Sequence, residues 1–135
     1  MAVSNPYTQY QDNHIITAGP EELLLIAYDH AIKFARIGRE KMRAGAVVEK
    51  SKNIGKSRAL IVELMSMLVV QQNAVLAANL ANLYEYMVKR LAEAELNNDE
   101  KPISEVIDIL TNLRSAWGQR VLLDRAQFTE GRLAA

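Results

Sequence analysis

Asn79-Leu80-Ala81-Asn82-Leu83-Tyr84-Glu85-Tyr86-Met87-Val88-Lys89-Arg90-Leu91 is the stretch whose reading decides the fold. Leu80, Leu83, Met87 and Leu91 are separated by steps of three or four, so on an α-helix they share one face. Leu76 and Ala94 extend that stripe, and the spacing predicts a helix from about Ala74 to Leu96, broken by Asn97-Asn98-Asp99. Tyr84 widens the apolar face on one side, while Tyr86 lies on another. A plain bundle helix would carry Lys or Glu at such flanks. Tyrosines there enlarge the apolar belt and keep a polar tip in water, as binding surfaces do. The blander reading is that they seal the edge of a bundle.

The rest of the chain repeats the helical pattern. A helix is expected from about Pro20 to Ala44, with Gly19 as its cap and Glu21 and Glu22 at the positive end of its dipole. Its main stripe is Leu23, Ala27, Ala31, Phe34, Gly38 and Met42, flanked by Leu24, Tyr28 and Ala35; Gly45 supplies a left-handed stop. A second helix, from about Ala46 to Val70, carries Val47, Ser51, Ile54, Arg58, Ile61, Met65 and Leu68. That stripe is weak at its start, around Gly55 and Arg58, where looser packing is expected. The last helix should start near Pro102 and reach at least Val121 through Ile103, Val106, Leu110, Leu113 and Trp117, with Ile107 alongside. Each is about 22–25 residues, or roughly 35 Å long at 1.5 Å per residue. Short connections make neighbours antiparallel. The expected fold is all-α: an antiparallel up-down four-helix bundle over residues 20–123. It is preceded by a short N-terminal arm or helical turn (1–19) and followed by a frayed polar tail (124–135).

Composition narrows the function. With 50% hydrophobic and 24% charged residues in 135, the chain has the make-up of one globular domain rather than a disordered one. Cysteine is absent, so disulfides, thiolate nucleophiles and thiolate metal sites are excluded. His14 and His30 are the only histidines, and neither has a Glu three residues before it, so a ferritin-like di-metal site cannot be assembled. His30 reads as a partly buried histidine, and adjacent Asp29 points about 100° away from it on a helix. No phosphate-binding glycine loop, nucleophile elbow or paired-carboxylate pattern occurs. The reading is a protein without cofactor or metal, and not an enzyme. No basic region followed by an apolar run marks a signal peptide, and the densest apolar run, Leu23 to Tyr28, is far short of a membrane span. A cytosolic protein with no membrane insertion is expected.

Net charge is zero but unevenly spread. Residues 33–58 hold nine basic and two acidic side chains, whereas 85–108 hold seven acidic and three basic. Solvated helix faces of opposite sign explain this most simply. A nucleic-acid surface would want aromatic residues among the basic ones, and no such motif occurs. Electrostatic steering of a protein partner is the remaining reading.

Several of these residues carry a resemblance. Asn5-Pro6-Tyr7 and Tyr10 come first, followed by Thr17-Ala18-Gly19-Pro20-Glu21-Glu22-Leu23, Tyr28-Asp29 and Ala31-Ile32-Lys33-Phe34. Then come Asn79-Leu80, Leu83-Tyr84-Glu85-Tyr86-Met87 and Arg90-Leu91, and finally Glu105-Val106, Leu110, Leu113 and Ala116-Trp117. In this order and spacing the chain resembles the flagellin export chaperones of the FliS family over nearly its whole length. The resemblance implies a helical bundle that binds the C-terminal segment of flagellin in the cytosol, prevents premature polymerisation and helps deliver the subunit to the export apparatus. It also implies that the N-terminal arm can cover part of the client groove when that is empty. Two departures stand out: Gly19 where the family often has Ser or Thr, and Gln72-Asn73-Ala74 where a Gly-Gly-Glu-like start to the third helix is common.

Tyr7, Tyr10, Leu80, Leu83, Tyr84 and Met87 are the partner-binding candidates. The arm bearing Tyr7, Tyr10, Ile15 and Ile16 is apolar enough to dock, yet too poorly patterned for permanent core. Flagellin is the expected partner, with export-apparatus components or a co-chaperone as further ones. A structural or adaptor bundle that dimerises, or binds another helical partner, stays open as the alternative.

Overall fold

A computed structural model describes residues 19–70 and 72–134. Four α-helices account for most of them: α1 (Pro20–Arg43), α2 (Val47–Ser66), α3 (Ala74–Asn97) and α4 (Lys101–Ala134). A short 3₁₀ turn, Met67–Val70, prolongs α2. No strand occurs among the described residues. α1 packs on α2 and α4, and α3 packs on the same two, so the helices form a closed ring in chain order.

Side-chain bonds across the ring fix the directions. Arg43, at the end of α1, forms a two-pronged pair with Glu100, just before α4, at 2.7 and 2.8 Å. Midway along, Arg114 of α4 meets Asp29 of α1 at 2.8 Å. Lys50, near the start of α2, donates to Asn98 Oδ1 after the end of α3. The first and last pairs join one helix's beginning to its neighbour's end, and the middle pair fits the same antiparallel arrangement.

Local chemistry sets the helix ends. Gly45, at φ +71°, follows α1, with its N–H on the Met42 carbonyl and the Ala46 N–H on that of Lys41. This paired closure of the last turn requires the left-handed backbone that glycine adopts freely. Asn98 does the same after α3, at φ 50°. Asn73 caps α3 by accepting from the Leu76 N–H at 3.0 Å. α2 tightens into 3₁₀ geometry over its last turn, a common way to satisfy terminal groups, so the helix expected to reach Val70 changes character at Met67.

The core runs down the middle of the ring. Ile54, Ile61 and Leu64 of α2 meet Tyr84, Met87 and Leu91 of α3, with Ile103, Val106 and Leu110 from α4. On α1 Ala27, Ala31, Gly38 and Met42 of the expected stripe are buried, as are the flanking Tyr28 and Ala35, and Ile32 joins them. Phe34 lies towards the surface, its ring flanked by the ammonium groups of Lys33 and Lys56. On α2 the stripe is turned: Ser57 and Leu64 are buried where Arg58 and Met65 were expected. Ser57 is accommodated because its hydroxyl donates to the Ala31 carbonyl at 2.8 Å. The backbones approach closely here: a β-carbon on Gly38 would stand 2.8 Å from Cγ1 of Ile54. Close approach therefore falls within the half of α2 where the sequence suggested loose packing. At the far end, α4 remains helical to Ala134, so residues 124–134 continue the helix where a frayed tail was expected.

Candidate functional site

The end of the bundle that carries the start of α1 is open. A groove of about 700 Å³ lies between α1, the 3₁₀ turn and α4, and reaches down to α3. Leu23 and Leu24 form one wall, Leu64, Met67 and Leu68 another, and Trp117 with Arg120 a third. The guanidinium of Arg120 sits 5.8 Å from the Trp117 ring, within cation–π range. Pro20 and Glu21 lie at the mouth, so the N-terminal segment joins the bundle there.

Helix-end chemistry produces this opening. α1 begins at Pro20 with Gly19 as an N-cap that offers no side-chain bond. The 3₁₀ turn holds Met67 and Leu68 beyond the last α-helical turn of α2, where neither is fully covered. α4 brings Trp117 to the same level, one helical repeat beyond the fully buried Leu110.

Tyr84 forms the floor. It is 0% exposed, and its hydroxyl hydrogen-bonds that of Tyr28, which is equally buried. The two rings are tilted, with centroids 6.5 Å apart. Trp117 donates its indole N–H to the Tyr28 oxygen at 3.2 Å, tying α4 into the same cluster. Burial raises both phenol pKa values, since a phenolate would lose its hydration; the neighbouring Tyr84 pushes Tyr28 further up, whereas the bond from Tyr28 partly offsets the rise at Tyr84. Both are neutral hydroxyls at physiological pH.

The six residues singled out from the sequence separate. Tyr7 and Tyr10 lie outside the described residues. Leu80 and Met87 are buried in the core and border no part of the groove. Leu83 is half-buried and packs against the core. Tyr84 alone of them lines the groove, but as its sealed floor, so its tip is not in water as expected. Among the described residues Tyr86 is the exposed tyrosine, and it donates to Glu105 of α4, which also accepts from Arg90. That bond lowers the Glu105 pKa first, with Arg90 adding to it, and raises the pKa of Tyr86. The groove walls Leu23, Leu24, Met67, Leu68 and Trp117 were not among the candidates. Their signal was apolar residues continuing the core stripes to the start of α1, past the end of α2 and beyond Leu110 on α4.

Elsewhere, the charge asymmetry is partly spent within the fold: Arg43 meets Glu100, and Arg39 donates to Ser104 at 3.0 Å. Among the described residues, no group of His, Asp and Glu could hold a metal ion. No described helix is long and apolar enough to cross a membrane.

These features define a class: an all-helical bundle whose core opens at one end into an apolar, aromatic-floored groove. Comparison with known proteins is specific about the family. The model of the flagellar protein FliS matches residues 3–123, and the chain belongs to that family. It is 36% identical over 125 residues to the flagellar secretion chaperone FliS of Bacillus subtilis, covering 93% of this chain and 92% of that one. It is 32% identical over 122 residues to the protein of the same name from Salmonella typhimurium, covering 90% and 89%. Over 108 residues it is 30% identical to that of Vibrio cholerae, covering 80% and 79%.

Proposed function

We propose that this protein is a cytosolic export chaperone that holds the C-terminal segment of flagellin, which is disordered before assembly. It keeps that segment from polymerising early and assists its delivery to the flagellar export apparatus. Membership of a family of flagellar secretion chaperones supports the export role. The observation that supports client binding is the groove of about 700 Å³ with leucine and methionine walls around Trp117 and Tyr84.

Sites that take ligand-sized groups span about 300–1,000 Å³. This groove therefore holds a few side chains of a client, and the remainder of the segment runs over the bundle. An amphipathic segment suits it, since apolar anchors at helical spacing enter such grooves and polar groups stay outside. Met67 contributes a flexible thioether wall that adapts to imperfect anchors. Leu80, Leu83 and Met87 serve the site by holding α3 and the floor in place. Tyr7 and Tyr10 belong to an arm that joins the bundle at the mouth of the groove, and they shield it until client displaces them. No catalytic step belongs to this function.

Calorimetry with the C-terminal segment of the flagellin from the same organism tests the proposal. A one-to-one complex with a negative heat-capacity change is expected, because apolar surface is buried as the segment orders. No affinity for any flagellin of the organism, together with a concentration-dependent mass in light scattering, favours a self-associating adaptor instead.

A further inference from the structure

Arg58 is a cation that the fold leaves unused. Among the described residues, every other half-buried arginine has a polar partner: Arg39 donates to Ser104 at 3.0 Å, Arg90 pairs with Glu93 and Glu105, and Arg114 pairs with Asp29. Arg58 is half-buried as well, yet no described residue gives it a hydrogen bond or an ion pair. Its Nε is buried without a partner, whereas its two terminal nitrogens are not enclosed and stay open to solvent. Arg39 also has an unpaired Nε, but Ser104 holds that side chain. A buried donor on a cation with no acceptor is an arrangement that folded proteins rarely keep without a use.

Helix geometry sets Arg58 on the α3 side of α2. Ser57 faces α1, because its hydroxyl donates to the Ala31 carbonyl, and Ile54 and Ile61, one turn to either side of Arg58, are fully buried. Successive residues turn by about 100°, which carries Arg58 past the core-facing line and away from α1. On α3, Tyr86 faces α4 through Glu105 and Met87 is buried, so Val88, a further turn of about 100° round, faces α2. A furrow therefore runs between α2 and α3. Val62, 49% exposed, stands one turn from Arg58 towards the groove. Gly55 stands one turn the other way, with nothing within 4 Å of where a β-carbon would be. The furrow continues the groove already described, since Leu64 lines that groove and lies about 9 Å along the α2 axis from Arg58.

We propose that Arg58 anchors a carboxylate of the flagellin segment where that segment leaves the groove and runs along the furrow between α2 and α3. The inference rests on the function proposed above and adds a path and a charged determinant to it. A planar guanidinium with two free terminal nitrogens takes a carboxylate through two parallel bonds, which fixes orientation as well as position. The surrounding charge favours an anion, because residues 33–58 hold nine basic and two acidic side chains. Apolar anchors alone tolerate a slip along the furrow, whereas an acidic residue that must meet Arg58 sets the register. In a helical segment that residue lies about six or seven positions from the side chain packed against Leu64, at 1.5 Å per residue.

A double-mutant cycle read by calorimetry tests this, using the full chain and the C-terminal segment of its organism's flagellin. Arg58→Met keeps an unbranched apolar stem and removes the charge. It is expected to weaken binding about 5- to 20-fold. The melting temperature of the free chain is expected not to fall, since no bond within the fold is lost. The acidic residues of the segment are then changed to their amides one at a time. One such change is expected to weaken binding to the unmodified chain by a similar factor, yet to leave binding to Arg58→Met within about twofold. Unchanged affinity of Arg58→Met overturns the proposal and leaves the chaperone function standing. A weakening by Arg58→Met that couples to no client carboxylate traces to packing along the furrow and overturns it as well. Absence of binding by the unmodified chain overturns the function and this inference with it. If Arg58→Met folds poorly, the cycle is run with Arg58→Gln, and the same outcomes decide.

Discussion

At Gly38 a β-carbon would stand 2.8 Å from Ile54 Cγ1 and 3.4 Å from its backbone nitrogen, whereas at Gly55 nothing lies within 4 Å. Two glycines in helix interiors thus respond oppositely to the same change. Gly38→Ala gains about 1 kcal/mol of helix propensity but overpacks a buried contact at about 1–3 kcal/mol, so a net loss of about 1 kcal/mol is expected. Gly55→Ala is expected to stabilise by about 0.5–1 kcal/mol. Urea denaturation of the two variants checks both signs. The buried tyrosines add a pH effect. Their folded pKa values are raised above the ordinary 10.0, so the stability linked to their neutral forms is complete below pH 10 and falls as pH rises beyond it, when the unfolded phenols ionise. Tyr28→Phe is expected to flatten the alkaline limb of a stability–pH curve. The cluster of Tyr28, Tyr84 and Trp117 was not legible in the sequence. Helical periodicity gives the angle of Tyr84 about its axis, but the two partners that bury it sit 56 and 33 positions away.

Helices were the most legible level. Pro20 after Gly19, the glycine at 45 and the break at Asn97-Asn98 located three ends to within one residue. The α3 and α4 stripes were right for Leu80, Met87, Leu91, Ile103, Val106 and Leu110. α2 was read slightly rotated, because small residues at its crossing with α1 let the backbones approach and Ser57 satisfy its hydroxyl on Ala31, whereas on α1 only Phe34 of the inner stripe turned towards the surface. The tail from Asp124 was read as frayed on polarity alone, but α4 continues through it. Gly45→Ala places a β-carbon at φ +71° and is expected to cost about 1 kcal/mol. Between elements, the Glu100 and Glu105 carboxyls are held below the ordinary 4.5, chiefly by Arg43 and by Tyr86. Such groups contribute stability above the unfolded pKa and lose it as pH falls through the folded one. Acid titration followed by circular dichroism is therefore expected to show stability declining below about pH 4.5, with a shallower decline in Glu105→Gln. Both carboxyls are solvent-screened, so the effect is modest at neutral pH.

Over the whole molecule, the two ends of the bundle differ in character. One is closed by Arg43, Glu100, Lys50 and Asn98 in polar bonds; the other is the apolar groove. The sequence suggested a bundle and a client and placed its contact candidates on the arm and on α3, of which Tyr84 borders the groove. Periodicity along one helix does not reveal where its neighbours stop covering a core. Trp117 is the chain's single tryptophan and lines the groove, which makes it a reporter of the central claim. Titrating the chain with the C-terminal segment of its organism's flagellin, while following Trp117 emission, tests occupancy of the groove most directly. A saturable blue shift reaching its plateau at one equivalent is predicted. Binding that calorimetry detects without any change in Trp117 emission would contradict the account, because the client would then lie elsewhere on the bundle.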